Sequence, residues 1–265
     1  MVLKSPTEIQ RLDDANRIVH RVLDGIAERI APGVTTRELD RWAEATIRDA
    51  GGIPAFKGYQ GYPASLCTSV NDVVVHGSPD DRPLEAGDVV GVDCGVEHRG
   101  YFGDAARTFA VGDVSAEAQR LLDVTRRALE RGIEAVESDG RLSDIGAAVQ
   151  ELVESEGFHV VREFSGHGIG TELHEDPEVP NYGRPGRGPR LEPGLVLAIE
   201  PMVSAGDPSV KIDADRWTAR TRDGSWSAHF EHSVAVTAEG PRVLGVAEDA
   251  GRDGVGSKEP RASAA

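Results

Sequence analysis

The stretch LEAGDVVGVDCGVEHRGYFGDAARTF, residues 84 to 109, decides how the rest of the chain is read. Val89-Val90-Gly91-Val92 is a short apolar run rich in β-branched residues, and the polar turn Glu97-His98-Arg99-Gly100 follows it. That pattern predicts a β-hairpin. With His98 and Arg99 as a two-residue loop, Asp93 and Asp104 stand directly opposite each other, their Cβ atoms roughly 5 Å apart. Two ionised carboxylates at that separation repel, so either one holds a proton or a cation lies between them.

A second stretch repeats the first. LEAGDVVGVD (Leu84–Asp93) aligns without gaps on LEPGLVLAIE (Leu191–Glu200), carboxylate falling on carboxylate. The helical stretch Leu39–Gly51 matches Ile145–Gly157, and DAARTFAVGD from Asp104 is loosely mirrored by EHSVAVTAEG from Glu231. The chain therefore reads as one domain over residues 1–247, built of two related halves, about 6–112 and 113–245. Each half supplies two acids at equivalent places. Acids in register at the ends of apolar strands are expensive to bury singly and economical to bury around a shared cation.

Composition narrows the function classes. A chain of 265 residues can bury a large core. Its net charge of −16 opposes approach to nucleic acid or an anionic membrane. Two cysteines, Cys67 and Cys94, form no disulfide framework and suit a reducing cytoplasm. The polar N-terminus has no signal-peptide pattern, and no apolar run is long enough to span a membrane.

Taken in order, helices are expected over Pro6–Ile30, Glu38–Ala50, Ala116–Ser138 and a stretch ending at Gly157. Single strands are expected over Val196–Met202 and Ala228–Val236, and from Val160 to the SGHGIG motif. The Pro-, Gly- and Arg-rich stretch Asp176–Arg190 is expected to be loop, and the polar tail 248–265 to be disordered.

His167, set between glycines in SGHGIG, is the expected fifth partner of the four acids. Two Asp, two Glu and one His make an oxygen-rich set with one nitrogen, which suits a pair of divalent ions (Co, Mn, Fe, Zn or Ni) rather than a structural zinc. Such a pair brings a bridging water toward neutral pKa and polarises a carbonyl. His76 and His174 are placed within reach, where neutral imidazole can donate to a developing oxyanion. His20, His98, His159, His229 and His232 are read as surface or packing residues.

The segments VNDVVVHGSPDD, GVDCGVEHRGYFGDAARTF, SGHGIGTELHEDPEVPNYG, LAIEPMV and FEHSVAVTAEG closely resemble the type I methionine aminopeptidases, over roughly Glu8 to Gly245. The resemblance implies an α+β fold, the duplicated pita-bread arrangement of a curved antiparallel sheet flanked by two helix pairs. It implies removal of the initiator methionine from nascent chains with a small second residue, by attack of a metal-bridging hydroxide on the scissile amide. Asp93, Asp104, His167, Glu200 and Glu231 match the family's five ligands. By that match Asp104 and Glu231 bridge, Asp93 chelates the second metal, and His167 and Glu200 complete the first. Glu200 also resembles the proton shuttle, and His76 and His174 the residues contacting the amide and its intermediate.

Tyr59, Tyr62, Cys67 and Trp217 match the apolar methionine pocket. The sequence departs from the commonest pattern at Phe56, where many bacterial members carry Cys, and at Leu173, where many carry Phe. The two changes are expected to compensate in volume. Asn71 and Ser227 fall where the family holds a monovalent cation. X-Pro aminopeptidases and prolidases carry a sizeable N-terminal domain, for which the short stretch before Asp93 leaves no room. The step from Glu200 to Glu231 likewise leaves no room for the type II insertion. The protein is expected to act as a monomer, with nascent N-termini as its partners. A transient ribosome contact would fall to Arg184, Arg187 and Arg190, a cluster otherwise read as a solvated loop.

Overall fold

The structure is a computed structural model that describes residues 1–246. Helix α1, Pro6–Ala27, starts at a capping box in which Ser5 and Glu8 satisfy each other's backbone amides. Its apolar stripe (Leu12, Ala15, Val19, Val22, Leu23, Ile26) is buried and lies against the hairpin. Helix α2, Thr36–Asp49, opens on the same device from Thr35 and Glu38 and packs on α1. Helices α3, Ala116–Glu134, and α4, Leu142–Ser155, form the second pair. The two long helices end sooner than the periodicity predicts, at Ala27 and Glu134, yet Ile30 and Val136 beyond their ends still pack into the core, so apolar spacing alone runs past the last helical turn.

The helix pairs cover antiparallel sheets. In the first half, Val89–His98 pairs with Tyr101–Ala110 on one side and with Leu66–Val70 and Ile53–Pro54 on the other. In the second, a five-stranded sheet runs in the order Gly240–Val243, His232–Thr237, Val196–Ile199, Gly166–Gly168, Glu175–Val179. Among the described residues the fold is thus α+β, with four α-helices on antiparallel sheet.

The hairpin forms as expected but in a different register. Its two loop residues are Arg99 and Gly100, so Asp93 faces Ala106 and Asp104 faces Gly95. Arg99 and Gly100 both have positive φ, 53° and 79°. A twist-matched two-residue turn needs φ > 0 at both central positions, and this register puts the glycine at the second. Asp93 and Asp104 are therefore diagonal neighbours rather than directly opposed. They keep the same face, since a slip of two residues preserves side-chain direction.

Two predicted single strands are broken. Val196–Ile199 and Met202–Ser204 are separated at Glu200-Pro201, where proline offers no amide to the ladder. Ser227–His229 and His232–Thr237 are separated at Phe230-Glu231. His159–Val160 is likewise distinct from Gly166–Gly168. The stretch Asp176–Arg190 is not all loop: its start belongs to strand Glu175–Val179, which pairs with Gly166–Gly168 despite its polar sequence. Its end packs on α4, with the Pro189 and Arg187 carbonyls accepting from Leu142 N and Ser143 N. Residues 247–265, which include the last residue of the expected domain and the tail, lie outside the described residues.

The halves meet along a seam beside the acids. Glu231 N donates to Ala106 O at 2.9 Å, Ser233 Oγ to Asp104 O at 2.9 Å, and Thr108 Oγ1 to His229 O at 2.8 Å. On the other side of the hairpin, α1 lies directly on Gly103, where a Cβ would come within 2.6 Å of Asn16 N. That close approach lets the Asn16 side chain reach the hairpin backbone at Asp104.

Candidate metal centre and substrate cavity

A cavity of about 440 Å³ opens where the hairpin, the second sheet and the 171–174 turn converge. Asp93, Asp104, His167, Glu200 and Glu231 all line it, as do His76, His174, Phe56, Tyr59, Tyr62, Cys67, Leu173 and Trp217. The structure thus brings together every residue singled out for metal, catalysis or methionine. Asn71 and Ser227 lie apart from this cavity but beside each other, with Ser227 N donating to Asn71 O at 2.9 Å.

Asp104, His167 and Glu231 each offer a ligand atom within 4.8 Å of the others. His167 Nε2 lies 3.9 Å from Asp104 Oδ2 and 3.6 Å from Glu200 Oε1. Each side chain is aimed by its backbone. Asn16 Oδ1 accepts from Asp104 N at 3.2 Å, and Asn181 Nδ2 donates to Glu200 O at 2.9 Å. His167 Nδ1 meets Gly168 O at 2.9 Å, leaving Nε2 to face the acids.

Burial dominates the electrostatics. It raises Asp93 to about 7 and Glu200 to about 8, with Glu200 itself adding to the rise at Asp93. Asp104 and Glu231 are pushed well above the usual carboxylate range by burial and then by neighbouring acids. Burial also holds His76 and His167 down to about 4, and lowers His174, so these rings are neutral near pH 7. Asp93 Oδ1, Asp104 Oδ1 and Glu231 Oε1 are buried with no hydrogen-bond partner among the described residues. Buried carboxylate oxygens left without a donor are costly, and divalent cations are the complement they lack. The residues fit the expected ions.

His76 sits in the left-handed region at φ 59°, an uncommon conformation for a non-glycine residue, and its ring meets Phe164 edge-on at 5.4 Å. His174 Nδ1 is 2.9 Å from Tyr59 Oη, and its ring centroid is 4.3 Å from that of His167. The apolar wall is continuous. Tyr62 meets Trp217 edge-on at 5.3 Å, and Phe56, Tyr62, Cys67 and Leu173 belong to one buried cluster.

One residue was missed by sequence reasoning. His229, read as a packing histidine, is buried with Nε2 unpartnered and 3.6 Å from Glu200 Oε2. Its main chain is clamped by Thr108 Oγ1, which accepts from His229 N and donates to His229 O. The available signal was its position two residues before Glu231: with period-two alternation both share a face.

The model of metallopeptidase family M24 matches residues 10–238. The chain belongs to that family. Within M24 it is similar to a methionine aminopeptidase of Clostridium acetobutylicum, 51% identical over 249 residues covering 94% of this chain and 100% of the relative. Its structure resembles that of the methionine aminopeptidase from Rickettsia prowazekii, with a TM-score of 0.92 at 39% identity, over 93% of this chain and 100% of that one. The Thermotoga maritima methionine aminopeptidase gives a TM-score of 0.91 at 43% identity, over 92% and 99%. These likenesses place the chain among the methionine aminopeptidases of M24. As in other members of the family, divalent metal is the expected cofactor. No helix among the described residues is long and apolar enough to cross a membrane.

Proposed function

We propose that this chain removes the N-terminal methionine from nascent polypeptides whose second residue is small. The observation that carries the reading is one cavity walled by apolar side chains and floored by four acids and an imidazole. A thioether chain fits such a wall, and a free α-amino group finds carboxylates at its base.

Asp93, Asp104, His167, Glu200 and Glu231 would hold two divalent ions (Co, Mn, Fe, Zn or Ni), with Asp104 and Glu231 contributed to both. When bound, the ions supply Lewis acidity toward the scissile carbonyl and a water acidic enough to attack near neutral pH. Glu200, with carboxylate oxygens 3.6 Å from His167 Nε2 and from His229 Nε2, would accept a proton from the attacking water and return it to the leaving amine. His76 and His174 are neutral, so each offers an N–H to the amide or its tetrahedral intermediate without a net charge to desolvate. Phe56 and Leu173 share one cluster, which supports the idea that a larger ring at one position and a smaller chain at the other conserve the volume of the methionine slot.

The finer readings follow the same logic. A monovalent cation would sit near the Asn71 and Ser227 backbone, where Asn71 takes a left-handed φ of 56°. Arg184, Arg187 and Arg190 are exposed and would make any ribosome contact. Both cysteines are free and buried, which suits a reducing cytoplasm, and the enzyme would act there as a monomer.

The test is a metal-titrated assay on Met-Ala-Ser and Ala-Pro peptides. Turnover of the methionine peptide alone is expected. Turnover of only the proline peptide overturns the reading, and no turnover with any divalent ion favours a binding protein that has kept the fold.

A further inference from the structure

Lys4 is the only lysine or arginine that is buried among the described residues. Its Nζ pairs closely with Glu175 Oε2, the two side chains being 3% and 10% exposed. A buried ion pair adds little net stability relative to apolar packing, so its placement calls for another explanation. The second oxygen of Glu175 supplies one. Glu175 Oε1 accepts from Thr171 N at 2.8 Å and from Glu172 N at 3.4 Å, closing the turn that carries Leu173 and His174. Thr171 and Glu172 are themselves exposed. An exposed turn facing a cavity is thus held from beneath by a buried carboxylate, which is held in turn by an ammonium.

The anchor is firm at its far end. Lys4 N donates to Gly194 O at 2.7 Å, and Lys4 Nζ also donates to Val2 O at 3.0 Å. There is no slack at the pair: a Cβ on Gly170 would fall within 2.6 Å of Lys4 Cε and closer still to Glu175 Oε1. Phe102 N donates to Gly170 O at 2.9 Å, which fixes the start of the turn to the hairpin. One step beyond, His174 reaches Tyr59 Oη, and its ring lies tilted at 59° beside that of His167.

We propose that Lys4 is a positioning residue for His174: its ammonium holds the Glu175 carboxylate against the Thr171 and Glu172 amides, and this fixes where the His174 ring stands over the cavity. The inference rests on the role of His174 given above. Lys4 does not line the cavity and bonds only to Val2, Glu175 and Gly194, so its loss should lower the rate of the chemical step and leave ground-state binding in place.

The experiment is a double-mutant cycle in the metal-loaded enzyme with Met-Ala-Ser, joined to calorimetric metal titration. Lys4→Met is expected to lower kcat about tenfold or more, the order of loss that a misplaced group brings, with KM and metal affinity changed less than about twofold. In the His174→Ala background the same change should alter kcat by less than about twofold, because the group it positions is gone. If Lys4→Met folds poorly through its lone buried carboxylate, Lys4→Met/Glu175→Gln removes both charges and is expected to show the same kcat loss. Equal falls in both backgrounds, falls that track lost metal affinity, or no fall in the wild type would each overturn the proposal. An unimpaired His174→Ala would instead bring down the reading of His174 itself, an outcome visible before Lys4 is touched.

Discussion

The two halves deliver the same pair of acids by different means. In the first, Asp93 and Asp104 lie within one uninterrupted hairpin, Val89–His98 against Tyr101–Ala110, with every residue of both strands paired. In the second, Glu200 falls just past the strand Val196–Ile199, and Glu231 lies in the gap between Ser227–His229 and His232–Thr237. A continuous ladder fixes an acid through its neighbours' hydrogen bonds. A break in the ladder frees the residue, so its backbone must be held another way, and Asn181 and the hairpin's Ala106 do so for Glu200 and Glu231. The longer glutamates come from the looser half and the shorter aspartates from the stiffer one. Two of the three histidines lining the cavity, His167 and His174, also come from the second half, as does His229 beside Glu200. The acids stand at equivalent places in the two halves, and the second half supplies more of the histidines.

The comparison breaks most sharply at the acids read as bridging. Asp104→Asn and Glu231→Gln are expected to fall alike, each losing metal in calorimetry and losing more turnover than the ~10²–10³-fold typical of a single preorganised donor. A variant that kept both ions and its activity would show that one half is dispensable. Next comes metal removal. In the stripped protein, Asp93 at about 7 and Glu200 at about 8 lie above the ~3.9 and ~4.3 of an unfolded chain. A raised carboxyl pKa gives stability that is present below the unfolded value and lost as pH rises through the folded one. Chelator-treated protein should therefore unfold at progressively lower temperature between about pH 4 and pH 8, while the metal-loaded form should not.

Much of this arrangement is legible in the chain. The repeat of LEAGDVVGVD by LEPGLVLAIE announces the duplicated acids, and SGHGIG marks His167 by the glycines that let backbone crowd in. What the sequence hides is geometry that depends on partners. The hairpin register is one turn residue away from the naive choice, and only the φ requirement of the turn decides it. Glu175–Val179 is a strand because Gly166–Gly168 offers it a ladder, which its polar sequence gives no sign of. His229 looked like packing because a histidine's meaning is set by what its ring faces, and that is Glu200, far away in sequence.

Smaller effects sharpen the comparison further. Asn16 and Asn181 play matched parts, one holding the amide of Asp104 and the other the carbonyl of Glu200. Replacing either by Ala should weaken metal binding about 10–100-fold in calorimetry, the usual cost of removing an outer hydrogen bond to a ligand. A larger loss at Asn181 would show that the broken strand leans harder on its support. The smallest effect on turnover is expected at His20, outside the cavity. Burial, with Arg107 beside it, holds His20 down to about 4 against an ordinary value near 6.5. A depressed imidazole gives stability that is present above the unfolded value and lost as pH falls toward the folded one. Denaturant unfolding should thus weaken from about pH 6.5 to pH 4, and His20→Gln should flatten that slope by up to about 3 kcal/mol while kcat stays unchanged.

The hydrogen bonds that stitch Glu231 and Ser233 to the hairpin carry a consequence for inheritance. Because Thr108 and Ser233 reach across the seam through their hydroxyls, a substitution at either position in one half loosens the backbone that leads to a ligand in the other. Variation inherited at Thr108 or Ser233 should therefore be limited to residues that keep a hydroxyl, and a half transplanted from a distant relative should assemble only when its opposite edge travels with it.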